Sequence, residues 1–415
     1  MLVDSLPSVG VTMPISRRTA LAAGLGAGIG AGIGAGLGVS ASASPVPDDA
    51  GFDLFAETLD GGEQVTAVIL RTARLGGVDP ASVNPGTFTV HARATSPFPA
   101  LGVYDVDRTV TAARLDRRGN IVLELAHGEG QVGGGTLGYV LSRGRNVRLD
   151  LVYTITQNTP LVLRGGRPVT FPGFTQGRLL NPEVDAFGYH ESASGMKYRL
   201  YAPRGRGRRP LVVWLHGGGE GASLPDGYYD NETTLRANRG ALGFATREAQ
   251  QIFDDAYVVA PQSFSYWMED GDRFAPLIRE VIRDVARRHP VDPRRIHVVG
   301  CSNGGYMSMK MTVAYPSLFA SSIPICGIVT GLISDAELAG IRTPSWLVTS
   351  LDDDTVGPQP NTVHAAEVIP GARVTLYDHV IRDGHQFPGH WSWIYVARND
   401  RHYWQWMAGQ RRRTR

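Results

Sequence analysis

Apolar residues recur along this chain with two different periods. From about Phe52 to Pro172 the spacing is that of strands. Between Asn146 and Thr156, Val147, Leu149, Leu151, Tyr153 and Ile155 fall on one side, and Arg148, Asp150, Thr154 and Thr156 on the other. That alternation predicts a half-buried antiparallel strand. Ile121, Leu123 and Leu125 repeat it after the turn sequence Asp116 to Asn120, and Val65 to Thr72 and Phe88 to Arg93 read as further strands. Short strands separated by turn signals, with no long helix between them, predict an all-β sandwich over 51–172.

From about Asp185 the pattern changes. Leu211 to Leu215, Ala256 to Ala260, Ile296 to Val299 and Ser345 to Thr349 are short, largely apolar runs of the buried-strand type. Between them, Phe274 to His289 predicts a helix, with Leu277, Ile278, Val281, Ile282 and Val285 on one face and Arg279, Arg283 and Arg287 opposite. Strands alternating with helices predict an α/β domain with a mostly parallel sheet over 185–415. Its last strand is placed at Val374 to Val380. A linker between the two domains is expected near Gly173 to Glu183.

The first 43 residues belong to neither pattern. Arg17 and Arg18 precede a run of Ala, Gly, Leu and Ile from Ala22 to Val39, and Ala41-Ser42-Ala43 supplies small residues for cleavage. This is the layout of an export signal, and the paired arginines make it a twin-arginine-type one. Gly at nearly every second position makes the run a poor membrane span. The mature chain is therefore expected outside the cytoplasm, periplasmic or extracellular, with no stable membrane anchor after cleavage.

Composition narrows the partners. The chain has 415 residues, 42% hydrophobic and 19% charged, with a formal net charge of +2. That is globular composition, and without a strong basic field nucleic acid is not expected as a partner. The two cysteines, Cys301 and Cys326, offer no metal-ligand spacing and no disulfide framework. Two buried thiols or one bridge both fit, and neither a metal nor an organic cofactor is expected.

The chemistry concentrates in the second domain. Gly300-Cys301-Ser302-Asn303-Gly304 lies between the predicted strand ending at Val299 and a helical stretch through Tyr306, Met309, Met311 and Ala314. G-x-S-x-G in a strand–turn–helix context is the nucleophile elbow of α/β-hydrolases, in which a sharp turn projects the serine above the sheet. Upstream, His216-Gly217-Gly218-Gly219-Glu220-Gly221 follows the strand ending at Leu215. In this fold such a glycine loop supplies one backbone N–H to a developing oxyanion, and the residue after the nucleophile, here Asn303, supplies the other. Gly218 is taken as the loop donor.

The chain order for the fold is Ser, then acid, then His. Acid candidates cluster at Asp352, Asp353 and Asp354, after the strand Ser345 to Thr349. Three adjacent carboxylates also suit a solvated loop or a cation site, but no calcium-loop spacing follows them. Asp353 is taken among the three, because the spacing S-x-x-D-x-x-V from Ser350 to Val356 resembles the acid loop of many hydrolases of this fold. For the base, His385 and His390 share a Gly/Pro-rich loop, and the residues alone leave both open. His364 falls in a predicted helix, and His91 and His127 in the first domain belong to no such constellation.

With these residues in place, the chain resembles bacterial two-domain esterases, which join an immunoglobulin-like N-terminal domain to an α/β-hydrolase domain. The resemblance rests on Val78-Asp79-Pro80 through Phe88-Thr89-Val90, Leu215 to Gly221, Ala260-Pro261-Gln262 with Trp267, and Gly300 to Tyr306. It continues through Pro324-Ile325-Cys326-Gly327, Leu351 to Val356 and Gly389 to Trp393. Extracellular polyester depolymerases and some secreted peptidases are similar. The resemblance implies esterase activity on short acyl chains. It also favours His390, because Gly389-His390-Trp391-Ser392-Trp393 matches the family's G-H-x-S-W ending. Thr349-Ser350 departs from the His-Gly that many hydrolases of the fold carry there. A secreted peptidase, a polyester depolymerase and a binding protein with a relic triad stand as alternatives to the esterase.

Overall fold

The computed structural model describes residues 50–97, 100–205 and 207–412. The expected export signal at 1–43 lies outside them.

Residues 50–180 build two sheets around one core. Five strands lie in the order Phe174–Leu180, Ala50–Leu59, Gly62–Leu70, Ile121–Leu125, Val110–Leu115, and three in the order Ala100–Arg108, Phe88–Pro97, Asp150–Gln157. Phe52, Leu54, Val68 and Leu123 from the first sheet and Phe88, Val90, Tyr153 and Ile155 from the second share the interior. The turn before Ile121 forms because Asp116 accepts the amides of Arg118 and Asn120 at 2.8 and 2.9 Å and Gly119 takes a φ of +87°.

Three expectations are corrected here. The continuous alternation across 146–156 is two strands, Arg145–Arg148 and Asp150–Gln157, in different sheets. The chain changes partner at Leu149, whose N–H donates to Thr136 O at 2.9 Å, while the side-chain alternation runs on through the break. The expected linker contains a strand: Phe174–Leu180 pairs in parallel with Ala50–Leu59, and Pro182–Asp185 is a short helix whose first amides are accepted by the Asn181 side chain. The strand expected at Val374 to Val380 ends at Tyr377, and Val380–Arg382 instead forms a small hairpin with His385–Phe387.

Residues 187–377 form one mixed sheet of eight strands, in the order Phe187–Glu191, Lys197–Tyr201, Tyr257–Pro261, Arg209–Leu215, Val291–Cys301, Ser321–Ile325, Trp346–Ser350, Arg373–Tyr377. The first three are joined by antiparallel pairings and the rest run parallel. Apolar side chains are buried on both faces, which is why these strands read as unbroken hydrophobic runs. The helix Gly271–Arg288 is started by Asp270, which accepts the Arg273 amide at 2.9 Å, and buries Phe274, Ile278, Val281, Ile282 and Val285. Each such side chain contributes on the order of 2 kcal/mol.

The two parts are joined by buried polar contacts. Glu63, in the first sheet, pairs with Arg236 and accepts from Thr136 Oγ1 at 2.6 Å and Asn181 Nδ2 at 2.7 Å. Arg239 holds Glu183 with two bonds of 2.7 and 2.8 Å and donates to Thr58 O at 2.7 Å.

Candidate active site

The central strand Val291–Cys301 delivers Ser302 at the sheet's carboxyl edge. Ser302 has φ 54° and ψ −117°, a conformation that non-glycine residues avoid and that costs about 1–3 kcal/mol. Its neighbours hold it there. Its N–H donates to Ile325 O at 2.8 Å, and its carbonyl accepts the Tyr306 amide at 3.0 Å as the helix Asn303–Ala314 begins. A Cβ on Gly304 would lie 2.0 Å from Leu215 O, and one on Gly300 2.2 Å from Gly304 O. Strand and helix therefore approach so closely that the two flanking positions admit glycine alone.

His390 sits on the short turn Gly389–Trp391, entered through Pro388. A Cβ at Gly389 would fall 2.3 Å from Asp352 Oδ1, so this glycine is required by the acid loop beside it. His390 Nε2 stands 2.9 Å from Ser302 Oγ, and its Nδ1 stands 2.9 and 3.0 Å from the two carboxylate oxygens of Asp353. Nδ1–H therefore donates to the carboxylate and Nε2 faces the serine hydroxyl. The Trp393 ring meets His390 edge-on at 5.6 Å.

The three adjacent aspartates have three different surroundings. Asp353 is fully buried, and its Oδ1 also accepts the amides of Thr355 and Val356 at 3.0 and 2.8 Å. Asp352 takes His379 Nδ1 at 2.8 Å and the Ser350 hydroxyl. Asp354 is exposed. His385 is exposed in its hairpin with its ring against Phe387, and His364 pairs with Asp335 at 2.7 Å.

Burial disfavours a charge on His390. The Cys326 sulfur and the Asp353 carboxylate outweigh it and raise the imidazole above its ordinary pKa. Cys326, with φ 42°, donates its N–H to Val348 O at 2.8 Å, and its sulfur lies with an Asp353 oxygen and a His390 nitrogen inside a 4.8 Å cluster. Both His390 nitrogens are engaged, Nδ1 by Asp353 and Nε2 by Ser302. Cys301 and Cys326 are both free and buried.

The glycine loop faces Ser302 from the end of Arg209–Leu215. Gly218 opens the 3-10 turn Gly218–Glu220 and Asn303 opens its helix, so neither N–H has an acceptor within its own element. A side chain at Gly218 would meet the Tyr266 ring at 3.5 Å and the Asn303 amide at 3.8 Å. His216 anchors the loop. Burial pushes its pKa down to about 4, Nδ1–H donates to Gly217 O at 2.6 Å, and Nε2 accepts the Ser263 amide at 3.0 Å.

Sequence reasoning did not single out four residues that shape this site: Arg145, Glu220, Tyr266 and Cys326. Glu220, inside the loop, is buried with Oε2 lacking a hydrogen-bond partner among the described residues, and burial pushes its carboxyl up to about 7. Its place inside the glycine motif was the available signal. Arg145 carried none, since it acts 76 residues from its own position in the chain.

No protein-family model matches the chain. A stretch of 131 residues is 34% identical to poly(3-hydroxyalkanoate) depolymerase C of Paucimonas lemoignei, covering 28% of this chain and 28% of that protein. A stretch of 200 residues is 24% identical to acetylxylan esterase A of Aspergillus ficuum, covering 46% of this chain and 60% of that protein. The chain thus spans less than two thirds of either relative. Among solved structures, one described as a thermostable esterase superposes with a TM-score of 0.74 at 24% identity, over 87% of this chain and 99% of that one. The chain has the α/β-hydrolase fold.

Proposed function

We propose that this chain is an exported serine hydrolase that cleaves carboxylic esters through an acyl-enzyme. The observation that carries the reading is the line of hydrogen bonds Ser302–His390–Asp353, with distances of 2.9 Å at each link. Ser302 Oγ attacks the ester carbonyl while His390 Nε2 takes its proton. Asp353 keeps Nδ1 protonated and stabilises the imidazolium. The N–H groups of Gly218 and Asn303 receive the negative oxygen. His390 then returns the proton to the departing alcohol. Water, deprotonated by the same nitrogen, releases the acid and regenerates Ser302.

The reading predicts that Ser302→Ala lowers hydrolysis of short nitrophenyl esters about 10⁴-fold or more with folding unchanged. Retention of a tenth of the wild-type rate sinks it. The similarity to a polyester depolymerase supports polymeric esters as the second substrate class. A panel of soluble esters of graded chain length against polyester film separates the two, aminoacyl anilides test for a peptidase, and labelling by a fluorophosphonate excludes a relic site.

The N-terminal sheets, with their shared core and, among the described residues, no comparable Ser–His–Asp line, support an immunoglobulin-like domain without chemistry of its own. Export is supported by Arg17, Arg18 and the small residues ending at Ala43. Replacing both arginines by lysine should hold the precursor inside the cell, and normal export of that variant would point to another route.

A further inference from the structure

Beyond the His216 anchor at Gly217, the backbone bonds within the glycine loop are long. Glu220 N–H reaches Gly217 O, and Gly221 N–H reaches Gly218 O, only at 3.4 Å each. A donor that must receive charge in a transition state acts well only if it is already in place, so the loop's outside partners decide how good an oxyanion donor Gly218 is.

One of those partners comes from the other part of the chain. Leu137–Val140 and Arg145–Arg148 form a two-stranded hairpin. From it, Arg145, 6% exposed, donates Nη1 to Gly221 O at 2.7 Å and also to Ala222 O. Among the described residues Arg145 has no carboxylate partner, and apart from a longer bond from Nε to Arg143 O at 3.4 Å its donors go to these two carbonyls. Its guanidinium lies 4.9 Å from the centre of the Tyr266 ring. The Tyr266 hydroxyl donates back to Arg143 O at 2.7 Å, and its ring is the one that faces Gly218. On the other side, a Cβ at Gly219 would meet Asn146 Nδ2 at 3.0 Å and the Tyr139 ring at 3.5 Å. Gly218 and Gly219 are therefore held between Tyr266 and a hairpin that comes from the N-terminal part of the chain and forms a small sheet of its own.

We propose that Arg145 is a positioning residue for the oxyanion donor: by gripping the carbonyls of Gly221 and Ala222, the hairpin fixes the N–H of Gly218 before substrate arrives. The inference rests on the ester-hydrolase reading of the site. It makes a residue outside the hydrolase part of the chain responsible for transition-state binding, although it touches no reacting atom.

The test is Arg145→Met, with active sites counted by fluorophosphonate titration so that rates refer to folded enzyme. The expected kcat per titrated site is about 10–30-fold lower, less than the 10²–10³ lost with an entire donor. KM should stay within threefold, and binding of a trifluoromethyl ketone should weaken by the same factor as kcat. Arg145→Lys should recover part of the loss. A kcat within twofold of wild type overturns the proposal, as does a loss confined to the number of active sites. If Arg145→Met does not fold, Tyr266→Phe frees the Arg143 carbonyl without removing the ring, and a kcat loss of about 3-fold or more is expected. An unchanged kcat in that variant is equally fatal. Hydrogen exchange at residues 217–222 reads the brace without any turnover. Faster exchange in the variant supports it and unchanged exchange overturns it, so a wild-type enzyme that cleaved no ester would refute the function and leave this result standing.

Discussion

Asp353 and His390 illustrate how far a residue's neighbours decide its chemistry. Asp352, Asp353 and Asp354 are identical in sequence terms, and only the middle one is stripped of water and fastened by two amides of its own loop. Those amides, from Thr355 and Val356, lie inside the S-x-x-D-x-x-V stretch, whose resemblance to other hydrolases of the fold, rather than any local pattern, pointed to Asp353. The histidine was not legible from residues alone. His385 and His390 share a loop, and a three-residue strand that fixes His385 outward formed in a segment with no strong pattern. A pH profile tests the pair. His390 acts as a base only when unprotonated, and its partners raise its pKa above 6.5, so kcat/KM should climb with pH through a midpoint above 6.5. Asp353→Asn removes a group that holds the proton and should move that midpoint down while lowering the rate. His390→Ala should cost about three orders of magnitude and His385→Ala little. A wild-type midpoint below 6.5, or the reverse order of the two alanine variants, defeats the assignment.

At the scale of elements, the strands and helices with strong periods were legible and their connections were not. The helix Gly271–Arg288 buries Ile278, Val281, Ile282 and Val285 of the face that its 3.6-residue spacing marked, leaves Leu277 half-buried, and adds a charged residue. Asp284 lies on that face, accepting the Tyr198 hydroxyl and pairing with Arg287 and Arg288. Alternation reports which way a side chain points, and it reports nothing about which strand lies alongside. Leu149 shows this: the phase of burial is unbroken from Val147 to Ile155 while the backbone leaves one sheet for another. Phe174–Leu180 failed for the converse reason. Its side chains are largely half-buried or exposed, so it has no apolar stripe, and only its parallel pairing with Ala50–Leu59 makes it a strand. The strand Leu137–Val140 and the turn after it expose Tyr139 and Leu141 and carry no strand signal, and the hairpin's contact with the glycine loop depends on a fold that local sequence does not describe.

For the molecule as a whole, the sequence marked two parts by their periods and could not show how firmly they are joined. Glu63 has no exposed side-chain surface, and the only cation it meets, among the described residues, is Arg236 from the other part. Arg236 keeps Glu232 as a second buried partner, so loss of Glu63 leaves the cation one carboxylate short and takes the carboxylate acceptor from Thr136 and Asn181, at a cost of about 1–3 kcal/mol. Wild type should therefore unfold in a single transition seen alike by calorimetry and by tryptophan fluorescence. Glu63→Ala should lower stability by roughly that amount in denaturant titration. Two well-separated wild-type transitions would show that the parts unfold independently.

The same pair sets an order of events during synthesis. Glu63 leaves the ribosome more than 170 residues before Arg236, the separation between the two being 173. Its Asn181 partner and the parallel edge strand Phe174–Leu180 also come late. Until residue 180 has emerged the first sheet lacks its edge strand, and until Arg236 has emerged Glu63 lacks its cation. The N-terminal sheets thus meet their last buried partner only when more than half of the chain has been made, although their own sequence is complete by residue 180. In this protein the part translated first is finished by the part translated second.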